Sequence, residues 1–275
     1  MDISKFKNII LGVLLAANLV LAAVLGVRAY ENYRLDRTAA EDTVSALRSL
    51  GTDVELEQLK TDTPPLYPSE VERDLEAERE LVRSFIGEHT IAEGGSGIYH
   101  LEGDRGSAGL QNAGRMTITF SDELSANFSD AEEMFRAIGV DSEYYAAQLR
   151  MSADELVVSD IGISRRISGA EVFGLSLDAR EVDGGVSGLD GGILLGEVYV
   201  TDGSQSKSLA AALLALSSQL YDAGSPAGNI LSSELGWTAE LAAPGYTHLE
   251  PTWRIATENA GVWLVDAMTL SVSRA

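Results

Sequence analysis

The chain has 275 residues, 45% of them hydrophobic, and contains no cysteine. This length and composition suit a globular protein with a sizeable core, and the absence of cysteine excludes disulfides, thiolate metal sites and a cysteine nucleophile. The formal net charge of −22 argues against nucleic acid as a partner.

The first predicted element is a membrane-spanning helix. Residues 9–27 carry no formal charge and are bounded by Lys7 and Arg28, which is close to the roughly 20 residues that a helix needs to cross a bilayer. A cleaved signal peptide with a cut before Tyr30 is the alternative, but the apolar run exceeds the roughly 7–15 residues of a typical signal-peptide core. We therefore predict an N-terminal tip and transmembrane helix over residues 1–28; the cytoplasmic side of the tip follows only from the family resemblance given below.

One side of this helix is rich in small residues. At about 100° per residue, one half of the helical wheel carries Gly12, Ala16, Asn18, Ala22 and Gly26. Small side chains let two helix backbones approach closely, and an asparagine in hydrocarbon gains from a hydrogen bond to another helix. This half is predicted to contact another transmembrane helix; a plain anchor that merely tolerates small residues is the alternative.

Residues 29–68 are predicted to connect the anchor to the folded part. Residues 29–50 are charged and alanine-rich, with an apolar face that ends before Gly51, a pattern typical of a juxtamembrane helix. A short alternating strand follows. The prolines within 63–68 predict an extended spacer, because proline disfavours the helical region for the residue before it.

Beyond the spacer, the sequence predicts two lobes, at residues 69–160 and 161–275. The first begins with a helix whose capping box is Ser69-Glu70-Val71-Glu72 and which ends at Gly87. In each lobe a strand, a glycine-rich connection and a second strand precede a helix, an order that suggests duplication. The predicted fold class is α+β: a single N-terminal transmembrane helix followed by antiparallel-sheet lobes with helices packed on one face.

The C-terminal segment contains the clearest hairpin. Leu249, Pro251, Trp253 and Ile255 alternate with residues suited to a solvated face. A turn is predicted at 258–261, and 262–265 returns as an apolar interior strand. The hairpin is expected to close the core of the last lobe.

No catalytic or metal-binding pattern is found. His89, His100 and His248 share no short metal-ligand spacing, and the G-x-S-x-G, H-E-x-x-H and P-loop motifs are absent. Ser204-Gln205-Ser206-Lys207 matches the S-x-x-K pattern of penicillin-recognising serine enzymes but lacks a K-T-G partner, so a capped helix start is the better interpretation. The sequence therefore predicts no catalytic, metal or cofactor-binding residues and no cofactor.

Two stretches resemble a known family. The N-terminal MDISKFKNIILGVLLAANLVLAAVL resembles the start of YycI-type proteins, and LEPTWRIATENAGVWLVDAMT resembles the end of the same family and of PepSY-like modules. Five residues match the C-terminal motif: Trp253, Arg254, Asp266, Ala267 and Thr269. Leu270 stands where the family usually has glycine.

The resemblance implies a non-enzymatic regulator of the YycH/YycI type, accessory to a cell-wall sensor histidine kinase of the WalK (YycG) type. It implies a single-pass protein of a Gram-positive-type cell membrane, with a cytoplasmic N-terminus and an extracellular domain of PepSY-like lobes. Expected partners are the kinase and a YycH-type protein, contacted through transmembrane helices and external domains. Such a contact alters a kinase only if it favours one signalling state.

Two other function classes stay open. A binding module could use PepSY-like lobes to hold or inhibit a secreted wall hydrolase or protease, which predicts a stable complex that depends little on the anchor sequence. An anchored wall enzyme could use a carboxylate pair, which predicts peptidoglycan turnover that a single Asp or Glu substitution abolishes.

Overall fold

The computed structural model describes residues 40–59, 63–122, 162–182 and 185–275, together with the backbone of 155–158. A 15-stranded mixed sheet dominates these residues. They also include three helices, named here α1 (40–49), α2 (Leu75–Ile86) and α3 (Leu209–Asp222), and a short 3-10 turn at Leu56–Leu59.

The strands are numbered in chain order: β1 (Thr52–Asp53), β2 (Ser69–Glu72), β3 (His89–Gly95), β4 (Ile98–Gly103), β5 (Gly106–Leu110), β6 (Arg115–Phe120), β7 (Glu155–Val158), β8 (Gly162–Ile167), β9 (Ala170–Val182), β10 (Gly185–Gly192), β11 (Val198–Val200), β12 (Gly228–Ala243), β13 (Tyr246–Thr257), β14 (Gly261–Asp266) and β15 (Val272–Arg274). The main path of the sheet runs β11-β2-β13-β12-β9-β10-β6-β5-β4-β3. Its neighbours are antiparallel except β9 and β12, which are parallel, as are β1 and β12.

Two hydrophobic cores lie along this sheet. The first joins α1 and α3 to the C-terminal strands, and its largest fully buried side chain is Trp237, whose Nε1 donates to the Ile167 carbonyl at 3.0 Å. The second joins α2 to β4, β5, β6 and β10, with Phe85 and Phe120 stacked at 6.3 Å between ring centroids. The 13-residue strand β9 contributes buried side chains to both cores.

The predicted fold class is wrong. Separate antiparallel, PepSY-like lobes were expected, whereas the described strands form one mixed sheet. β9 buries Val172 in the first core and Leu177 in the second, and its parallel pairing with β12 joins the two halves. Local periodicity predicts that a segment is a strand but does not specify its distant partner.

The membrane part of the fold prediction has no counterpart in the described residues. No helix among them is long and apolar enough to cross a membrane. The predicted span at 9–27, with its small-residue half, lies outside the described part of the chain. So does the helical segment predicted to follow the strands of the first lobe, at residues 129–151.

The predicted capping box at the start of α2 is also wrong. Ser69–Glu72 forms strand β2, and Asp74 caps the helix by accepting a 3.0 Å hydrogen bond from the Ala77 N–H. Strand pairing prevails here because it buries Val71 against the first core. The predicted end at Gly87 is confirmed, since this glycine has a positive φ of 80° and donates its N–H to the Arg83 carbonyl.

The S-x-x-K stretch precedes a helix, as its interpretation as a helix start requires. Residues 204–207 belong to no helix or strand, and α3 begins two residues later. Ser208, rather than Ser204, supplies the capping hydroxyl, which accepts from the Ala211 N–H at 3.4 Å.

Candidate interaction surface

The clearest candidate surface is the outward side of the sheet end formed by β11, β2 and β13. Along β2, Val71 is buried while Glu70 and Glu72 point outward. Along β13, Tyr246 and His248 are exposed and alternate with buried residues. Because strand side chains alternate between faces, the outward residues of neighbouring strands lie side by side.

The strand register aligns one row of these side chains across four strands. Tyr199 lies opposite Glu70, Glu70 lies opposite His248, and His248 lies opposite Glu240 of β12. The His248 Nδ1 is 3.6 Å from a Glu70 carboxylate oxygen. This row therefore combines an aromatic ring, two carboxylates and an imidazole.

A second row lies beside the first. Tyr246 lies opposite Glu72 and donates its phenol O–H to that carboxylate at 3.3 Å. The Tyr199 phenol donates to the Glu197 carboxylate, and the Glu197 carbonyl accepts from the Glu72 N–H at 3.1 Å. The name acidic–aromatic face is used below for these six residues: Glu70, Glu72, Glu197, Tyr199, Tyr246 and His248.

The carboxylates raise the pKa values of both phenols. The hydrogen bond to Glu197 is the main reason that the pKa of Tyr199 rises to about 12. The negative charge of Glu72 is the main cause of the raised pKa of Tyr246. Both phenols therefore stay protonated at neutral pH, and the face presents the negative charge of three glutamates. Carboxylates beside aromatic rings form favourable contacts with lysine and arginine side chains.

The five residues of the family-like motif lie on the C-terminal hairpin, outside the acidic–aromatic face. Trp253 and Ala267 point into the first core. They also fix the chain before α3: the Trp253 Nε1 donates to the Lys207 carbonyl at 2.9 Å, and the Lys207 N–H donates to the Ala267 carbonyl at 2.8 Å. Trp253 and Ala267 therefore have a structural role, because they close the first core and position the chain before α3.

Asp266 and Thr269 shape the turn after β14. The Asp266 carboxylate accepts from the N–H groups of Met268 and Thr269 at 2.6 and 3.0 Å and from the Thr269 hydroxyl at 2.6 Å. Leu270 follows with a φ of +66°. That left-handed conformation favours glycine, and here a leucine adopts it.

Arg254 lies on the outward side of β13, six residues beyond His248, or roughly 20 Å along the strand. Its guanidinium donates to Glu171 at 3.0 and 3.2 Å and to Glu234 at 2.7 Å. The guanidinium carbon lies 4.3 Å from the centroid of the Phe173 ring. Arg254 therefore has its hydrogen-bond and charge partners within the sheet.

Arg73 and Glu78 form a buried pair that the sequence did not predict. The Arg73 guanidinium donates to the Glu78 carboxylate at 2.6 and 2.9 Å, and to the Gly97 carbonyl at 2.6 Å. The Arg73 N–H donates to the Gly245 carbonyl at 2.8 Å. Since Arg73 follows β2 directly, this pair fixes the strand that carries Glu70 and Glu72. Glu78 gives no local signal, because it lies among other charged residues of α2.

The pocket beside this pair is small. It is lined by Arg73, Glu78, Leu194 and Thr247, among others, and its volume is about 10 Å³. That is room for about one water molecule. Nor do the described ranges contain any group of three His, Asp or Glu side chains placed to hold a metal ion.

No family model matches the chain, and no curated protein matches it. Among solved structures, it is similar to an uncharacterized protein from Eubacterium rectale ATCC 33656. The two share 11% sequence identity over 77% of this chain and 86% of that chain, with a TM-score of 0.44.

Proposed function

We propose that this protein is a non-enzymatic, extracytoplasmic regulator, attached to the cell membrane, that modulates a cell-wall sensor histidine kinase of the WalK type alongside a YycH-type protein. The observation that carries the proposal is the acidic–aromatic face, an exposed surface on paired strands that sets two tyrosines beside three carboxylates. The two terminal motifs that resemble YycI-type proteins supply the identity of the partners.

The aromatic residues of this face favour a protein partner. Tyr199 and Tyr246 are 46% and 39% exposed. Tyrosine is enriched in protein interfaces, because its ring gives contact area at low entropic cost while its hydroxyl forms hydrogen bonds. The two rings therefore give this face apolar contact area among its charged groups.

The regular strand pairing beneath the face suits a regulator. Its side chains project from paired strands, and the buried contacts of Arg73 hold β2 against the β12–β13 hairpin. A fixed surface shifts a kinase between signalling states only by binding one state more tightly than the other. Regulation would therefore follow from the complementarity of this face to one state of the kinase ectodomain.

The test is membrane co-purification of the full-length protein with the WalK-type kinase and the YycH-type protein of its host. Wild type is compared with the double variant Tyr199→Ser/Tyr246→Ser, and with Tyr221→Ser as a control, since Tyr221 is 55% exposed at the end of α3. We expect association to be lost in the double variant and kept in the control. If wild type associates with neither partner, the proposal fails; capture of a secreted wall hydrolase instead would favour the binding-module alternative.

A further inference from the structure

We infer that the outer edge of β11 accepts an extended, basic segment of a partner protein as an added strand. This inference rests on the proposed function, because it specifies how the acidic–aromatic face would contact its partner. Within the described part of the chain, the outer main-chain groups of β11 have no strand beside them. They lie next to the glutamates and tyrosines of that face, and this juxtaposition defines the chemistry of the partner.

β11 ends the main path of the sheet. Among the described strands it pairs with β2 alone, in antiparallel register. Hydrogen bonds from the Glu72 N–H to the Glu197 carbonyl, 3.1 Å, and from the Thr201 N–H to the Pro68 carbonyl, 2.9 Å, lie on either side of it. Each bond joins a residue two positions along the chain from Tyr199 to a residue two positions along the chain from Glu70.

These flanking bonds decide which main-chain groups face outward. In an antiparallel ladder, residues that bond the neighbouring strand alternate with residues that do not. Tyr199 therefore directs its N–H and carbonyl towards β2, and Val198 and Val200 direct theirs to the open edge. An added strand would pair with these two residues, as in other cases of strand addition.

The side chains along β11 predict the sequence of the added strand. Residues placed opposite Tyr199 and Glu197 would lie beside the carboxylates of the acidic–aromatic face. Because opposite charges on neighbouring strands attract, these residues should be lysine or arginine. The residue placed opposite Val200 would lie on the other face, where it covers a side chain that is 64% exposed, so it should be apolar. The expected partner segment alternates basic and apolar residues.

The opposite end of the sheet is less suited to strand addition. β3 is the other terminal strand, but its register shifts between Glu93 and Gly95, and Gly95 has φ of +86°. A bulge of this kind interrupts the edge and is a common protection against pairing with another chain. β11 shows no such shift in its pairing with β2.

A second copy of this chain is the other possible occupant, and its charge disfavours it. Pairing two β11 edges would bring the glutamates of two acidic–aromatic faces together, in a chain of net charge −22. Like charges on neighbouring strands are destabilising. A basic partner removes this repulsion.

The experiment measures binding of the peptide acetyl-GVKVKG-amide to the full-length protein. In an antiparallel pairing its lysines lie opposite Tyr199 and Glu197, and its valines lie opposite Val200 and Val198. Two control peptides accompany it: acetyl-GVEVEG-amide, and the lysine peptide with both valine nitrogens methylated. Val200→Pro removes an outward N–H and leaves pairing with β2 intact, because that N–H faces away from β2. Glu70→Gln/Glu197→Gln lowers the charge of the face, and Glu93→Gln/Glu102→Gln makes the same change at the other end of the sheet.

We expect the lysine peptide to bind wild type and the Glu93/Glu102 control equally. Binding should weaken at least about tenfold with Val200→Pro, with Glu70→Gln/Glu197→Gln and with the methylated peptide, because each loses main-chain or charge pairing. Equal binding of the methylated and parent peptides would overturn strand addition, and this comparison does not depend on the folding of any variant.

The outcomes separate the inference from the proposed function. If the kinase co-purifies with wild type but the lysine peptide does not bind, the strand-addition inference is overturned and the regulator proposal stands. If the peptide binds at the β11 edge but neither predicted partner co-purifies, the inference stands and the regulator proposal fails.

Discussion

Arg73 and Arg254 have similar partners in different surroundings. Each guanidinium lies over an aromatic ring and pairs with carboxylates. The Arg73 side chain is 11% exposed and its partner Glu78 is 1% exposed, whereas Arg254 is 35% exposed and its two glutamates are 33% and 44% exposed. The same contacts therefore carry different energies, since a buried charge without a partner is costly and an exposed one is solvated.

The largest effect is expected from Arg73→Met. The substitution leaves the Glu78 carboxylate buried without its cation and removes the bond to the Gly97 carbonyl. We expect the free energy of unfolding to fall by about 3–5 kcal/mol, measured by urea denaturation. The double variant Arg73→Met/Glu78→Met should recover most of this loss, because it removes both charges. A loss below about 1 kcal/mol in the single variant would show that Glu78 reaches solvent.

Gly236→Ala tests how closely the Arg254 cluster is packed. A methyl group at Gly236 would lie 2.4 Å from the Phe173 ring and 2.6 Å from the Glu171 carbonyl, so the ring beneath Arg254 must move. We expect a loss of about 1–3 kcal/mol in thermal or urea unfolding. Gly109→Ala is the matched control, because the same methyl group in strand β5 has no neighbour within 4 Å. Equal effects at the two positions would contradict the close packing of Phe173.

The pH dependence of stability should reveal the titration of the buried Glu78 carboxylate. Burial raises the pKa of Glu78 above its ordinary 4.5, and contacts with Arg73 offset part of the rise. The folded state then holds this proton more tightly than the unfolded state, so the contribution of Glu78 to stability increases as pH falls through the raised pKa and levels off below about 4.5. Glu78→Gln lacks this titration.

The measurement is the difference in unfolding free energy between wild type and Glu78→Gln from pH 7 down to pH 4. We expect the difference to shift in favour of wild type as pH falls. A shift in favour of Glu78→Gln would mean that Arg73 dominates and lowers the pKa of Glu78 in the folded state.

Local patterns predicted the elements that depend on neighbouring residues. The β13–β14 hairpin has the expected alternation, with Leu249, Trp253 and Ile255 buried, and α2 ends at Gly87 as predicted. Both follow from side-chain period and turn chemistry within a few residues.

Features that depend on distant pairing were not predictable in this way. Glu70 and Glu72 were assigned to a helix start because S-x-x-E spacing also occurs at helix N-termini. Only the pairing of β2 with β11 and β13 places them beside Tyr199 and Tyr246. The Arg73–Glu78 pair depends in the same way on where the Gly97 turn and the β12–β13 hairpin fold back, information that no local window contains.

Arg254→Met should have the smallest effect of the series. Water replaces the lost contacts of Glu171 and Glu234, so we expect a loss of about 0–1 kcal/mol in urea denaturation. Raising the salt concentration should shrink this loss further, because screening already weakens exposed pairs. The Arg73→Met loss should respond less to salt, since its charges are shielded from ions. If Arg254→Met instead costs as much as Arg73→Met, the outward side of β13 is desolvated in the native protein, and another part of the chain or a partner must cover it.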